Sequence, residues 1–232
     1  MKTVGFLGGY DKIDLVLFIA RILTLTEKTV LIVDGTASQK AKYIVPTIAP
    51  TKTYITEFEG FDVAVGFENL EAIKEYLGIG NKPLDYDFVL LDIDSQEAFQ
   101  NFNAISNYKN CLVTAFDLYS LKRGLEVVGS TKVPIKLTKV FFSKEMTKEE
   151  NDFLEFLALG YKIKWDEQIY SFPIEMGNYS VTVENQIISK IKLKGFSDHY
   201  KNSLQFLTQM LFNEDVSAKE IGKAIKFLER ET

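Results

Sequence analysis

Short runs of β-branched and other apolar residues, each closed by glycine or aspartate, alternate along this chain with longer stretches at helical spacing. Residues 3–7 form the first such run, stopped by Gly8-Gly9, and residues 15–25 follow with apolar positions too continuous for a one-sided helix. The pattern predicts a buried strand, a glycine turn and a largely buried helix. Residues 29–33 predict a second strand ending at Asp34-Gly35. Strand, loop, helix and strand thus fill about 35 residues, the size of one right-handed crossover unit.

Between residues 43 and 67, Pro46, Pro50 and Gly60 punctuate alternating runs at 53–58 and 61–65, which read as one or two short strands with loops before a helix over 69–77. Residues 87–92 read as a buried strand flanked by carboxylates, 111–115 as another strand, 118–127 as a helix and 136–142 as a further strand. Thr147-Lys148-Glu149-Glu150 is a capping-box pattern opening a helix. Phe153 and Phe156 of that helix are expected in the core with Phe141 and Phe142. Residues 161–165 and 170–173 read as two short β segments. Residues 187–194 read as a half-buried edge strand with Lys190, Lys192 and Lys194 on one face, a stripe that either guards the edge or meets an anion or partner. Helices over about 198–212 and 217–230 end the chain. The alternation predicts an α/β fold, three layers with a mainly parallel central sheet, as one domain over residues 1–232.

In such sheets the loops at the carboxyl ends of the strands carry the site. Gly8-Gly9 with Lys12 follows the first strand, Asp34 closes the second, and Asp92 closes the strand beginning at Phe88. A phosphate loop needs glycines so that backbone N–H groups turn inward, a lysine for the phosphates, and a following Ser or Thr on Mg²⁺. Asp92 and Asp94 would share a face if their strand continued, as a metal or acid/base pair; the plainer reading is solvated strand-end acids or helix caps.

The stretch Leu7-Gly8-Gly9-Tyr10-Asp11-Lys12-Ile13 resembles the deviant phosphate loop of the MinD/ParA-like P-loop ATPases, Lys-Gly-Gly-x-Gly-Lys-Ser/Thr before a buried helix. The resemblance extends to Val30-Leu31-Ile32-Val33-Asp34, to Asp87-Phe88-Val89-Leu90-Leu91-Asp92 as a Walker B strand, to the strand-to-helix turn from Thr114 to Leu121, and to Phe172-Pro173 as a base-flanking segment. It implies a P-loop NTPase-like fold, with Gly8, Gly9, Lys12, Asp34, Asp92, Phe172 and Pro173 as the nucleotide-binding set. It implies a protein partner or homodimer as well.

Three departures alter the expectation. Leu7 replaces the family's signature lysine, which reaches across a dimer interface to the partner's nucleotide. Asp11 replaces the last loop glycine and puts a carboxylate where phosphate oxygens would sit; like charges about 4 Å apart cost about 4 kcal/mol at an effective dielectric of 20. Ile13 replaces the Mg²⁺ ligand, and Asp14 points about 100° away on a helix. The expectation is a non-catalytic scaffold or positioning factor with no cofactor and no metal. The alternative is an active ATPase, switching between monomer and dimer, with ATP and Mg²⁺ held by Lys12, Asp34 and Asp92. Lys12 either binds an anion or pairs with Asp11, Asp34 or Asp92, and Tyr10 either fills the nucleotide pocket or offers a handle to a partner.

The formal charge of −5 argues against a broad nucleic-acid surface. The lone Cys111 excludes an intramolecular disulfide and a thiolate cluster, and the lone His199, beside Ser197 and Asp198, reads as a surface residue at a helix start. Without a signal-peptide pattern or an apolar stretch near the roughly 18 residues of a membrane span, a cytoplasmic protein is expected. Ala218, Ile221, Ile225 and Leu228 give the last helix an apolar face, small and without an aromatic anchor beyond Phe227. Docking on the same domain or on a partner is expected there, with membrane contact the weaker alternative.

Overall fold

The computed structural model describes residues 1–48, 51–143 and 147–231, so Pro50 lies outside the described residues. The apolar runs form strands β1 (Lys2–Leu7), β2 (Val30–Asp34), β3 (Tyr54–Phe58), β4 (Phe61–Val65), β5 (Phe88–Ile93), β6 (Lys109–Ala115), β7 (Ile135–Ser143) and β8 (Ile163–Pro173). They pair in the order β3-β4-β2-β5-β1-β6-β7-β8. Every neighbouring pair is parallel except the β3–β4 hairpin at one edge. β2 and β5 are buried at every position, which is why they read as continuous apolar runs rather than alternating ones.

Helices α1 (Ile13–Thr24), α2 (Ala41–Ile44), α3 (Leu70–Tyr76), α4 (Gln96–Asn101), α5 (Leu118–Val127), α6 (Lys148–Ala158), α7 (Met176–Ile188), α8 (Asp198–Phe212) and α9 (Ala218–Arg230) cover both faces. One core joins α1, α8 and α9 to side chains such as Phe6, Phe88 and Phe172; the other joins α3, α4, α5 and α6 to Leu7, Leu91 and Phe141. This is the three-layer α-β-α arrangement around a mainly parallel sheet. Side-chain caps start most of the helices: Asn69, Ser95, Asp117, Thr147, Ser197 and Ser217 each accept a backbone N–H of the first turn. His199, exposed in the first turn of α8, lies at the surface.

Several elements differ from the sequence reading. The two β segments at 161–165 and 170–173 are parts of one strand, β8. Its register against β7 passes from Leu137↔Trp165 to Lys139↔Ile169, so Asp166, Glu167 and Gln168 together face Thr138. This bulge breaks the apolar alternation without ending the strand. Residues 190–194 form no strand, and Lys194 lies in a turn: Asn185 Nδ2 donates to Lys192 O at 2.8 Å and Leu193 N to Leu228 O at 3.0 Å, so helices take bonds that a neighbouring strand would supply. Ile191 and Leu193 are buried between the lysines, as the alternation implied, without making an edge strand. Phe153 and Phe156 are 41% and 65% exposed, and α6 buries Leu154 and Ala158 instead.

α9 turns Ile221, Ala224, Ile225 and Leu228 inward into the core that contains α1 and α8, so the face that membrane contact would need is already covered. Among the described residues no helix is long and apolar enough to cross a membrane. Because Ile221 is fully buried, Ile221→Ala is expected to cost about 2–5 kcal/mol in chemical denaturation. A cost below about 1 kcal/mol would mean that this face is not part of the core.

Candidate functional site

The first loop lies where β1, β5 and β6 end together. Gly8 has φ +144°, and a Cβ there would stand 2.1 Å from Val113 O. At Gly9 a Cβ would meet Arg123 Cβ and Cγ at 2.8 and 2.6 Å. Both glycines are therefore required by close approach of β6 and α5, independently of any ligand. Asp11 carries its own cation, with Lys40 Nζ 2.5 Å from Oδ2. Both partners are about half exposed, so the pair adds little stability, but it fixes the carboxylate at the loop.

Lys12 folds back over the loop. Its Nζ donates to Gly8 O at 2.9 Å and lies 2.6 Å from Asp92 Oδ1, an ion pair whose angle departs from that of an aligned hydrogen bond. The two side chains are 2% and 3% exposed. Of the three acids open to Lys12 in the sequence, Asp92 is the partner because β5 is the immediate neighbour of β1, with Phe6↔Asp92 in register. Burial pushes the Asp92 carboxyl up, to about 6, with the Lys12 ammonium opposing and the Asp34 charge adding to the rise. Asp34 pairs in register with Asp92 across β2 and β5.

The remaining acids are taken by backbone, hydroxyl and amide donors. Asp34 Oδ1 accepts Thr36 N at 3.0 Å and Thr36 Oγ1 at 2.6 Å, and Oδ2 accepts Ala41 N at 2.9 Å, so it ties down the turn into α2. Asp94, beyond the last residue of β5, accepts Ala37 N at 3.1 and 3.2 Å and makes no pair with Asp92. Asp14 receives Gln186 Nε2 on both oxygens at 3.0 and 3.1 Å. Burial pushes its carboxyl up to about 6, with the Gln186 amide opposing.

These residues do not fit a Mg²⁺-nucleotide. Ile13 is 1% exposed, packed in the core, and has no lone pair to offer. Asp34, Asp92 and Asp94 spend oxygens on Thr36, Ala41, Lys12 and Ala37, and no group of three or more His, Cys, Asp or Glu among the described residues could hold a metal ion. Mg²⁺ beside a nucleotide keeps several waters and takes only one or two protein oxygens with those of the phosphates, and the position after Lys12 offers none.

A cavity of about 320 Å³ lies between this loop and α7. Pro173 lines it, but Phe172 does not: that ring is fully buried, stacked on Phe142 with centroids 5.2 Å apart. Tyr10 turns inward and stacks on the other side of Phe142, centroids 4.9 Å apart. Of the predicted set, Gly8, Lys12, Asp34 and Asp92 meet at one place, and Gly9 packs on α5. The sequence reading missed Lys40, Gln186 and all of α7. The signal for α7 was weak, because Val181, Thr182 and Val183 are β-branched and poor helix formers.

Removing the Lys12 cation strands a buried carboxyl, so Lys12→Met is expected to cost about 3–5 kcal/mol near neutral pH. In that variant the folded protein holds the Asp92 proton more tightly than the unfolded chain does. Stability should therefore fall as pH rises from about 4 through the raised folded value. Lys12→Met/Asp92→Leu should recover most of the cost and lose that pH dependence in denaturation curves. A Lys12→Met protein as stable as the wild type near neutral pH would contradict the pairing.

No protein-family model matches the chain, and no curated relative matches it by sequence. Solved structures do match. A plasmid partition protein from Borrelia burgdorferi B31, bound to AMPPNP, superposes with a TM-score of 0.60 at 12% identity, covering 93% of this chain and 99% of the other. A ParA family ATPase from Chlorobium tepidum TLS gives 0.51 at 13% identity, over 98% and 97% of the two chains. A chain of the MinC:MinD cell division complex from Aquifex aeolicus gives 0.50 at 14% identity, over 100% and 97%. On these superpositions, this chain has the fold of the ParA/MinD P-loop ATPases.

Proposed function

We propose that this protein is a non-catalytic relative of the ParA/MinD ATPases that serves as a scaffold or positioning factor in a larger assembly. The observation that carries the reading is the engagement of Lys12: its ammonium is buried against Asp92 and Gly8 O, with Asp11 beside it and Ile13 where a metal ligand would be needed. A lysine held this way must give up a buried ion pair before it can reach a phosphate, and it would then meet the Asp11 carboxylate. The fold similarity supports a role among proteins of partition and cell division, such as the MinC:MinD complex, and a protein partner or second copy is the companion this reading calls for. A net charge of −5 favours a protein over nucleic acid as that companion, and the cytoplasm is the setting it fits.

Thermal unfolding with and without millimolar Mg-ATP tests this on the wild type, on Lys12→Ala and on Asp11→Gly/Ile13→Thr. A ligand at 100 times its Kd stabilises the folded state by about 2.7 kcal/mol, a shift easily read. The wild-type melting temperature is expected not to move, and the repaired loop is expected to gain a shift. A wild-type shift that Lys12→Ala removes would instead establish a working nucleotide site, with Asp34 and Asp92 as its acids, and hydrolysis would follow as the activity to assay.

A further inference from the structure

The cavity beside the first loop has a lining ill suited to an anion. Tyr10 and Tyr179 contribute aromatic surface, with Phe142 already stacked against Tyr10 and Phe172 and the Tyr200 ring packed on Phe172 and Phe196, and Asp11, Asp14 and Glu175 contribute carboxylates. Lys12 also borders it, but its ammonium is held by Asp92 and Gly8 O, and Lys40 is spent on Asp11. Asp14 and Glu175 have amide donors, Gln186 at 3.0 Å and Asn178 at 3.2 Å, and neither has an ion-pair partner among the described residues.

Tyr200 is an independent sign. It is 5% exposed, with its ring packed on Phe172 and Phe196 at 5.1 and 4.6 Å, yet its hydroxyl has no hydrogen-bond partner among the described residues. It borders the cavity and lies within the fields of Asp14 and Tyr10. Burial, with those two groups adding, holds the phenol well above its ordinary range, so it stays a neutral hydroxyl whose oxygen is available to accept. The hydroxyl opens onto the cavity, where an entering N–H donor can take the place of water on its oxygen.

Electron-rich ring faces attract cations, carboxylates neutralise them, and a free phenol oxygen accepts from an N–H donor. We propose that this cavity binds an organic cation, an alkylammonium or guanidinium group, beside a loop that in related folds faces an anion. The inference rests on the reading that the loop takes no Mg-ATP. A volume of about 320 Å³ lies at the small end of ligand sites and suits one such group rather than a whole nucleotide. The cation has two possible sources, a free small molecule or an arginine side chain presented by a protein partner, and the chemistry of recognition is the same.

Calorimetric titration of the full-length protein at low salt tests this with choline, agmatine and an end-blocked peptide carrying one central arginine. The neutral carbon isostere of choline, 3,3-dimethylbutan-1-ol, and Mg-ATP are titrated alongside. At least one cation is expected to bind saturably with a Kd below about 1 mM. Choline, if it binds, should exceed its isostere by roughly tenfold, and Asp14→Asn should weaken any bound cation by about as much. Tyr179→Ala removes a ring that is 64% exposed, so its loss of affinity can be read even if Asp14→Asn destabilises the fold. A peptide binding tighter than agmatine assigns the site to a partner's arginine, and the reverse assigns it to a free cation; both uphold the proposal. No saturable binding of any cation with Mg-ATP also silent overturns this inference alone, as does binding that both variants leave unchanged. Mg-ATP that binds and displaces the cation overturns the reading beneath it.

Discussion

A lysine ammonium and a carboxylate, shut together at the carboxyl end of a buried sheet, hold the centre of this molecule. Lys12 precedes α1 and Asp92 lies in β5, so their contact ties the main buried helix to the middle of the sheet, and the bond from Lys12 to Gly8 O closes the loop between them. Such a pair adds little net stability over an apolar replacement, because both charges lose their hydration, but breaking it is costly. That asymmetry fixes the loop conformation. It also means that the two residues most able to serve phosphate and metal chemistry are first of all each other's partners.

The sheet was legible because its strands are short, apolar on both faces and closed by glycine or aspartate, and because most helices begin at a side-chain cap visible in the sequence. The losses have local causes. α7 carries β-branched residues in its middle and ends at Ser189 in the left-handed region, so no helical period stands out. The six residues of α4 are too few to show one. β8 bulges at Asp166 to Gln168, which looks like a loop. Phe153 and Phe156 show that aromatic identity does not settle burial when a helix has Leu154 and Ala158 to turn inward.

At the site, the residue types could be read but their pairings could not. Which acid takes Lys12 depends on strand order, since β5 lies beside β1 while β2 is one strand further away. Asp11 and Asp14 find Lys40 and Gln186 across 29 and 172 residues, distances at which sequence spacing carries no information. A common fold at 12–14% identity leaves chemistry free to differ, so what this site does has to be argued from its own side chains. Gly8 and Gly9 are called for by the close approach of β6 and α5, so their presence in the sequence does not by itself report a ligand.

The most direct measurement is a crystal structure grown with millimolar Mg²⁺ and AMPPNP. The expected result is Lys12 Nζ still within hydrogen-bond reach of Asp92 and Gly8 O, with no nucleotide density over the loop. Lys12 swung away from Asp92 onto the phosphates of an ordered nucleotide would contradict the claim that its partner is structural.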